Sequence, residues 1–288
     1  MLALSTFSIV GYDPIADELG IAVQSKFIAV GAVVPWLEAG VGAIATQAWA
    51  NTSYGPRGLE LLRGGALPAE TIQVLTRDDE HAAQRQIGVV DVRGRSATYT
   101  GGGCMAWAGG RAGKNFAAQG NILAGPSVPD ELERAFVTTS GALADRLVAA
   151  LRAAQAAGGD RRGKQSAALA VVKRRGGYGE FNDRFIDLRV DDHREPIEEL
   201  ARILGLHRLY FSKPAPEDLL DVDADIGAEI VEHLRGSGAL TSGNSRTFDA
   251  AARTALIAFM HRENLEERVR DDGLIDKQTL EYLRSFNA

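Results

Sequence analysis

Over residues 1–211 the apolar positions come in short runs of strand length, cut by turn residues. Phe7 to Val10 is apolar and β-prone and is broken by Gly11-Tyr12-Asp13-Pro14; Leu19 to Gln24 follows, so the two read as an opening hairpin. Val30 to Val34 and Val41 to Thr46 are further strand-length runs, separated by Pro35 and Gly40. Ser53-Tyr54-Gly55-Pro56 starts a helix with Leu59, Leu61 and Leu62 on its apolar face, and Pro68 to Leu75 is a second. Gln86 to Val92 and Ser96 to Thr100, joined by Arg93-Gly94-Arg95, form the clearest hairpin. A Gly-rich stretch, TGGGCMAWAGGRAG, leads to a strand at Phe116 to Gln119. Glu131 to Ala157 is an Ala-rich helical region broken near Gly141. Ser166 to Lys173 reads as a buried strand with Phe185 to Val190 beside it, and Pro196 to Leu204 as a closing helix. Two antiparallel strand groups with helix pairs predict a layered α+β domain.

The pattern changes at Lys213-Pro214-Ala215-Pro216, which places a boundary between residues 211 and 212. Ile226 to Leu234, Phe248 to His261 and Lys277 to Phe286 then show helical spacing, a small helical domain over 212–288. Charge follows the same division. Residues 212–288 hold fifteen acidic and nine basic residues, whereas 1–211 balance 23 against 23. Neither part carries the positive field of a nucleic-acid binder. The single cysteine, Cys104, excludes an internal disulfide and a Cys-cluster metal site. No apolar run reaches the ~18 residues of a membrane span, and the N-terminus has no basic segment before its apolar run. The expectation is a soluble cytoplasmic protein without nucleic-acid or membrane partners.

Familiar cofactor and metal signatures fail on single residues. The run Gly109 to Asn115 lacks the first glycine and the Ser/Thr of a phosphate loop, so it reads as a flexible turn. Asp221, Asp223, Asp225 and Glu232 match calcium-loop positions, but Ile226 stands where a Gly must turn the loop; a helix capped from Asp225 explains the acids. The histidines show no paired spacing, no G-x-S-x-G elbow exists, and Cys104 reads as a small loop thiol. No cofactor and no metal are expected.

One layout has chemical content. Thr6 begins the first strand and Ser25-Lys26 ends the second, the arrangement of an N-terminal nucleophile. Such a hydroxyl needs a free α-amine beside it as general base, and a lysine nearby lowers its pKa. GAIATQAWAN, residues 42–51, ends a strand where backbone N–H groups can hold an oxyanion.

The segments TFSIVGYDP, GIAVQSKFIAVGAVVPWLEAGVGAIATQAWAN, AAQGNILAGP, AAGGDRRGKQSAALAVV and EFNDRFIDLRVDDH together resemble the DUF1028 family, an Ntn-hydrolase-like group. The tail, from LYFSKPAPEDLLDVDADI to DDGLIDKQTLEYLR, resembles the peptidoglycan-binding-like module often fused to it. The resemblance implies a four-layer αββα sandwich with Thr6 at the nucleophile position. A looser likeness to proteasome-type subunits puts Lys26 in the lysine role and Asp160 and Ser166 near the threonine amine. Ser25, Gln47, Asn51, Gln119 and Asn121 are the candidate substrate contacts, with turn capping as the ordinary alternative for Asn51, Gln119 and Asn121.

Met1 to Ser5 precede Thr6, and Leu2 is too large for simple Met excision, so a free Thr6 amine requires cleavage between Ser5 and Thr6. Two functional readings follow. One is an amidohydrolase, latent until that cleavage, acting on a small amide or γ-glutamyl-like substrate. The other is a non-catalytic ligand- or glycan-binding protein that keeps the fold. A packing or homodimer role is expected for the tail.

Overall fold

The computed structural model describes residues 6–241 and 246–286 and divides the chain between Ile203 and Leu204 into two units. The larger unit opens with the expected hairpin. β1 (Thr6–Asp13) pairs antiparallel with β2 (Glu18–Ser25), Thr6 opposite Ser25. β1 runs through Gly11 and Tyr12 instead of breaking there. Gly11 lies opposite Gly20, and the missing side chains admit a helix: a Cβ on Gly20 would meet Leu147 Cδ1 at 2.6 Å.

β9 (Ser166–Val172) and β10 (Arg184–Val190) continue this sheet beyond β2, and β8 (Phe116–Asn121) and β7 (Gly109–Gly113) beyond β1. The result is a six-stranded antiparallel sheet ordered β10-β9-β2-β1-β8-β7. Gly109 to Gly113 is therefore a strand, not the flexible turn its composition suggests. A second antiparallel sheet runs β3 (Pro35–Glu38), β4 (Gly42–Ala48), β5 (Arg85–Asp91), β6 (Ser96–Thr100). Val30 to Val34 does not form the expected strand. Val30–Ala32 is a 3-10 turn, and the strand starts at Pro35. Proline is tolerated there because β3 is an edge strand, where a missing N–H leaves no ladder bond unmade.

Helices α1 (Tyr54–Arg63) and α2 (Pro68–Arg77) pack on the outer face of the four-stranded sheet. Ile44, Ile87 and Val89 meet Tyr54, Leu59, Ile72 and Leu75 there. Helices α3 (Ser127–Thr138) and α4 (Leu143–Ala156), broken as expected around Gly141, cover the outer face of the six-stranded sheet. The inner faces of the two sheets pack on each other through Val10, Ile21, Val23, Ala43, Ala45 and Val90. The unit is α+β with antiparallel sheets.

α5 (Pro196–Phe211) runs past the expected end at Leu204 and contains the division between units. The second unit carries α6 (Ala224–Gly236), α7 (Ala250–Arg262) and α8 (Lys277–Ser285), plus a short ladder of β11 (Leu219–Asp221) with β12 (Leu274–Asp276) that the helical spacing conceals. Its helices start at aspartates whose carboxylates accept the free first-turn N–H groups. The α6 cap is Asp223, which takes the N–H groups of Asp225 and Ile226, rather than Asp225. Arg268 is buried, pairs with Asp276 at 2.6 Å, and donates to the carbonyls of Arg208, Leu209 and Ser212. Among the described residues no helix is long and apolar enough to cross a membrane.

Candidate active site

Side chains alternate across a strand, so every second residue of β1 faces the opposing sheet. The register then defines rows across the six-stranded sheet. The row through Tyr12 joins it to Leu19 and Val172, and the row through Val10 is Ala117, Val10, Ile21 and Ala170. The next is Gln119, Ser8, Val23 and Ala168. The last, at the N-terminal end of β1, is Asn121, Thr6, Ser25 and Ser166. The layer between the sheets thus turns from wholly apolar to wholly polar within four rows. The facing sheet follows the same gradient, with Ala43 and Val90 at one end and Gln47, Gln86 and Thr100 at the other.

At the polar end the side chains satisfy one another. Thr6 Oγ1 lies 3.1 Å from Ser25 Oγ. The Ser8 hydroxyl donates to Gln47 Oε1 at 2.6 Å and accepts from Gln119 Nε2 at 2.7 Å. Gln47 Nε2 donates to Gln86 Oε1 at 2.9 Å and reaches the Thr6 carbonyl at 3.4 Å. Asn121 Nδ2 shares Gln86 Oε1 at 3.0 Å, while Gln86 Nε2 donates to Thr100 Oγ1 and to the Gly120 carbonyl. Thr6, Ser8, Ser25, Gln47, Gln86 and Gln119 are each 0% exposed. Close approach of the sheets depends on Gly88, where a Cβ would sit 2.1 Å from Gln119 Oε1.

Two strands end at this cluster in left-handed backbone. Ala48 follows Gln47 with φ 64°, and Ile122 follows Asn121 with φ 54°. A β-branched residue rarely adopts that region, and such outliers concentrate at functional sites. Ile122 is held on both sides: its N–H donates to the Met105 carbonyl and its carbonyl accepts from Arg161 N–H, each at 3.0 Å.

Five of the residues expected at the site therefore come together: Thr6, Ser25, Gln47, Gln119 and Asn121. The other four have separate partners. Lys26 is exposed, and its ammonium reaches the Lys164 carbonyl at 3.4 Å. Asp160 uses its carboxylate on backbone, accepting Lys26 N–H at 2.9 Å and Arg162 N–H at 2.8 Å. Ser166 pins the turn after β2 by donating to the Phe27 carbonyl at 2.5 Å and accepting Val30 N–H at 3.1 Å. Asn51 caps Ser53 and donates to Asp79 at 3.2 Å. That contact belongs to a second cluster, in which Tyr54 OH and the Arg85 guanidinium also bond the Asp79 carboxylate, at 2.5 and 2.9 Å. Arg85 holds the Asp79 carboxyl well below the usual carboxylate range; burial, then Asp79, pushes the Tyr54 hydroxyl above its own.

Ser8, Gln86, Thr98 and Thr100 belong to the neighbourhood but were missed as site residues. Only two of them carry a signal: Ser8 and Gln86 are polar residues on faces that turn apolar at Val10 and Val90, whereas the face of β6 with Ser96, Thr98 and Thr100 is polar throughout. As it stands the site is neutral and fully bonded. Thr6 N is a peptide nitrogen and cannot accept a proton.

A family model described as "Family of unknown function (DUF1028)" matches residues 6–200, and one described as "Putative peptidoglycan binding domain" matches residues 210–283. The crystal structure of protein SPO2555 from Silicibacter pomeroyi, itself matched to the DUF1028 model, is similar at a TM-score of 0.65 and 30% identity. The match covers 71% of this chain and 89% of that one. No curated protein matches the chain.

Proposed function

This chain belongs to the DUF1028 family, and on that premise we propose that its larger unit is an N-terminal-nucleophile-type amidohydrolase, latent until cleavage before Thr6. The observation that carries the reading is the placement of Thr6. Its hydroxyl begins β1 inside the polar end of the layer between two sheets, beside Ser25 Oγ and within a bonded set of neutral amides. Paired sheets with α1 and α2 outside one and α3 and α4 outside the other are what an αββα Ntn-type sandwich requires.

Cleavage between Ser5 and Thr6 converts an amide nitrogen into an α-amine of pKa ~7.7–8.0, which can take the hydroxyl proton. Thr6 Oγ1 then attacks an amide carbonyl, the amine carries the proton to the leaving nitrogen, and water releases the acyl group. Gln47 fixes the Thr6 carbonyl, and Gln119 and Asn121 offer amide contacts to substrate. Lys26 acts on this site only through its field, because its ammonium is turned toward Lys164.

The test is covalent labelling of a chain that begins at Thr6. An acyl-type probe labels Thr6 in the trimmed protein, full-length chain stays unlabelled, and Thr6→Ala abolishes labelling. Ser8, two residues along the same face, reports non-specific hydroxyl reactivity. Equal labelling of all three forms overturns the mechanism. A second reading, a ligand-binding protein without catalysis, draws on the complete internal bonding of the cluster, and it gains if the trimmed chain stays unlabelled.

A further inference from the structure

The end of the larger unit farthest from Thr6 is where its hairpins turn, and it exposes apolar side chains. The register puts the β1–β2 turn beside the β9–β10 hairpin, since Leu19 of β2 lies opposite Val172 of β9. Ile15 in that turn is 97% exposed, and Tyr178 and Phe181 at the tip of the hairpin are 83% and 92% exposed. The Phe181 ring lies on Gly179, where an added Cβ would sit 2.7 Å from its Cε2. Single apolar side chains are ordinary on a surface, but three grouped on one end of a sandwich mark a contact.

The same end holds a groove of about 470 Å³ between the β3–β4 turn and the base of this hairpin. Its floor is Leu37 and Val172, which also pack on the apolar core between the sheets. Its charged walls are Glu38, Asp183 and Arg184. Glu38 pairs with Arg63, and Arg184 with Asp187. The Asp183 carboxylate accepts the Arg175 N–H and makes no ion pair among the described residues. Arg174 lies with its guanidinium over Gly40 of the β3–β4 turn, and that guanidinium has no partner among the described residues.

Knob, groove, free cation and free anion therefore share one patch. Two copies related by a twofold axis present this patch to each other, so each feature meets its complement. An aromatic ring fits in ~150 Å³ of apolar space, so the groove takes the Phe181 ring with room for Tyr178. The two aromatics supply ~150–250 Å² each, about half of the ~800 Å² per partner that a stable interface buries. We infer that the larger unit forms a twofold dimer through this end, with Phe181 of each copy seated in the groove of the other and Arg174 of each facing Asp183 of the other. The inference does not depend on the reading of Thr6, and it places the self-contact on the larger unit instead of the tail.

The experiment measures the mass of the full chain in solution by sedimentation across micromolar concentrations. The protein runs at twice 30.8 kDa. Phe181→Ala raises the dissociation constant about thirtyfold or more, the loss expected of an interface anchor, with the far-ultraviolet circular dichroism unchanged. R174E and D183R each set like charges face to face across the axis, and each runs as a single chain. An equal mixture of R174E and D183R recovers the doubled mass, because the mixed pair keeps one native Arg174–Asp183 contact and has one with both charges reversed. A mass of 30.8 kDa at every concentration overturns the inference. A dimer that survives both Phe181→Ala and R174E lies on another face and overturns it too, as does a mixture that stays single.

Discussion

The two ends of the layer between the sheets are made by the same strands but are held by different forces. Around Val10, Ile21, Ala45 and Val90 the contact is apolar, and its stability comes from surface removed from water. Around Thr6, Ser8, Gln47, Gln86 and Gln119 each group has exchanged water for a protein partner, which nets only ~0.5–1.5 kcal/mol per bond. Apolar side chains of similar shape can match that stability. The polar end is therefore poorly explained by folding and well explained by a ligand or a reaction, and the strained Ala48 and Ile122 beside it point the same way.

Mutations can separate the two ends, and the largest loss is expected just outside both. Asp79→Asn leaves Arg85 buried without its counter-ion and costs about 3–5 kcal/mol in denaturant unfolding at neutral pH. Because the folded carboxyl is held below its ordinary pKa, its contribution is complete above about pH 4 and is lost as pH falls toward the depressed value. Acid unfolding of Asp79→Asn is accordingly less steep than that of the parent. At the apolar end, Ile21→Ala opens a cavity and costs about 2–5 kcal/mol, with acyl labelling of the folded, trimmed chain retained. Gln86→Ala strands Gln47, Asn121 and the Gly120 carbonyl, costs about 1–3 kcal/mol, and weakens labelling as well. If Gln86→Ala left labelling intact while Ile21→Ala removed it, the division of labour would be reversed.

Periodicity made most of the architecture legible. The opening hairpin, the Gln86–Thr100 hairpin, the helix break near Gly141 and the helix within Phe248 to His261 all rest on local signals that tertiary packing reinforces. It failed where a long-range partner decides the local form. Val30 to Val34 has a strand's composition, but Ser166, far along the chain, holds Val30 in a turn. Gly109 to Gly113 has a loop's composition, yet it pairs with β8 because glycines leave room at a crowded edge. At the site, Thr6 and Ser25 were readable because a hairpin register places them opposite each other. Gln86 was not, since its meaning lies in two sheets meeting face to face, which no single strand announces.

Everything proposed for Thr6 depends on exposing its amine, so the most direct measurement is the intact mass of the protein recovered from its own cells. The account predicts a species lacking the mass of Met1 to Ser5 and beginning at Thr6. Recovery of the full-length mass alone, from cells in which the protein is active, would contradict it.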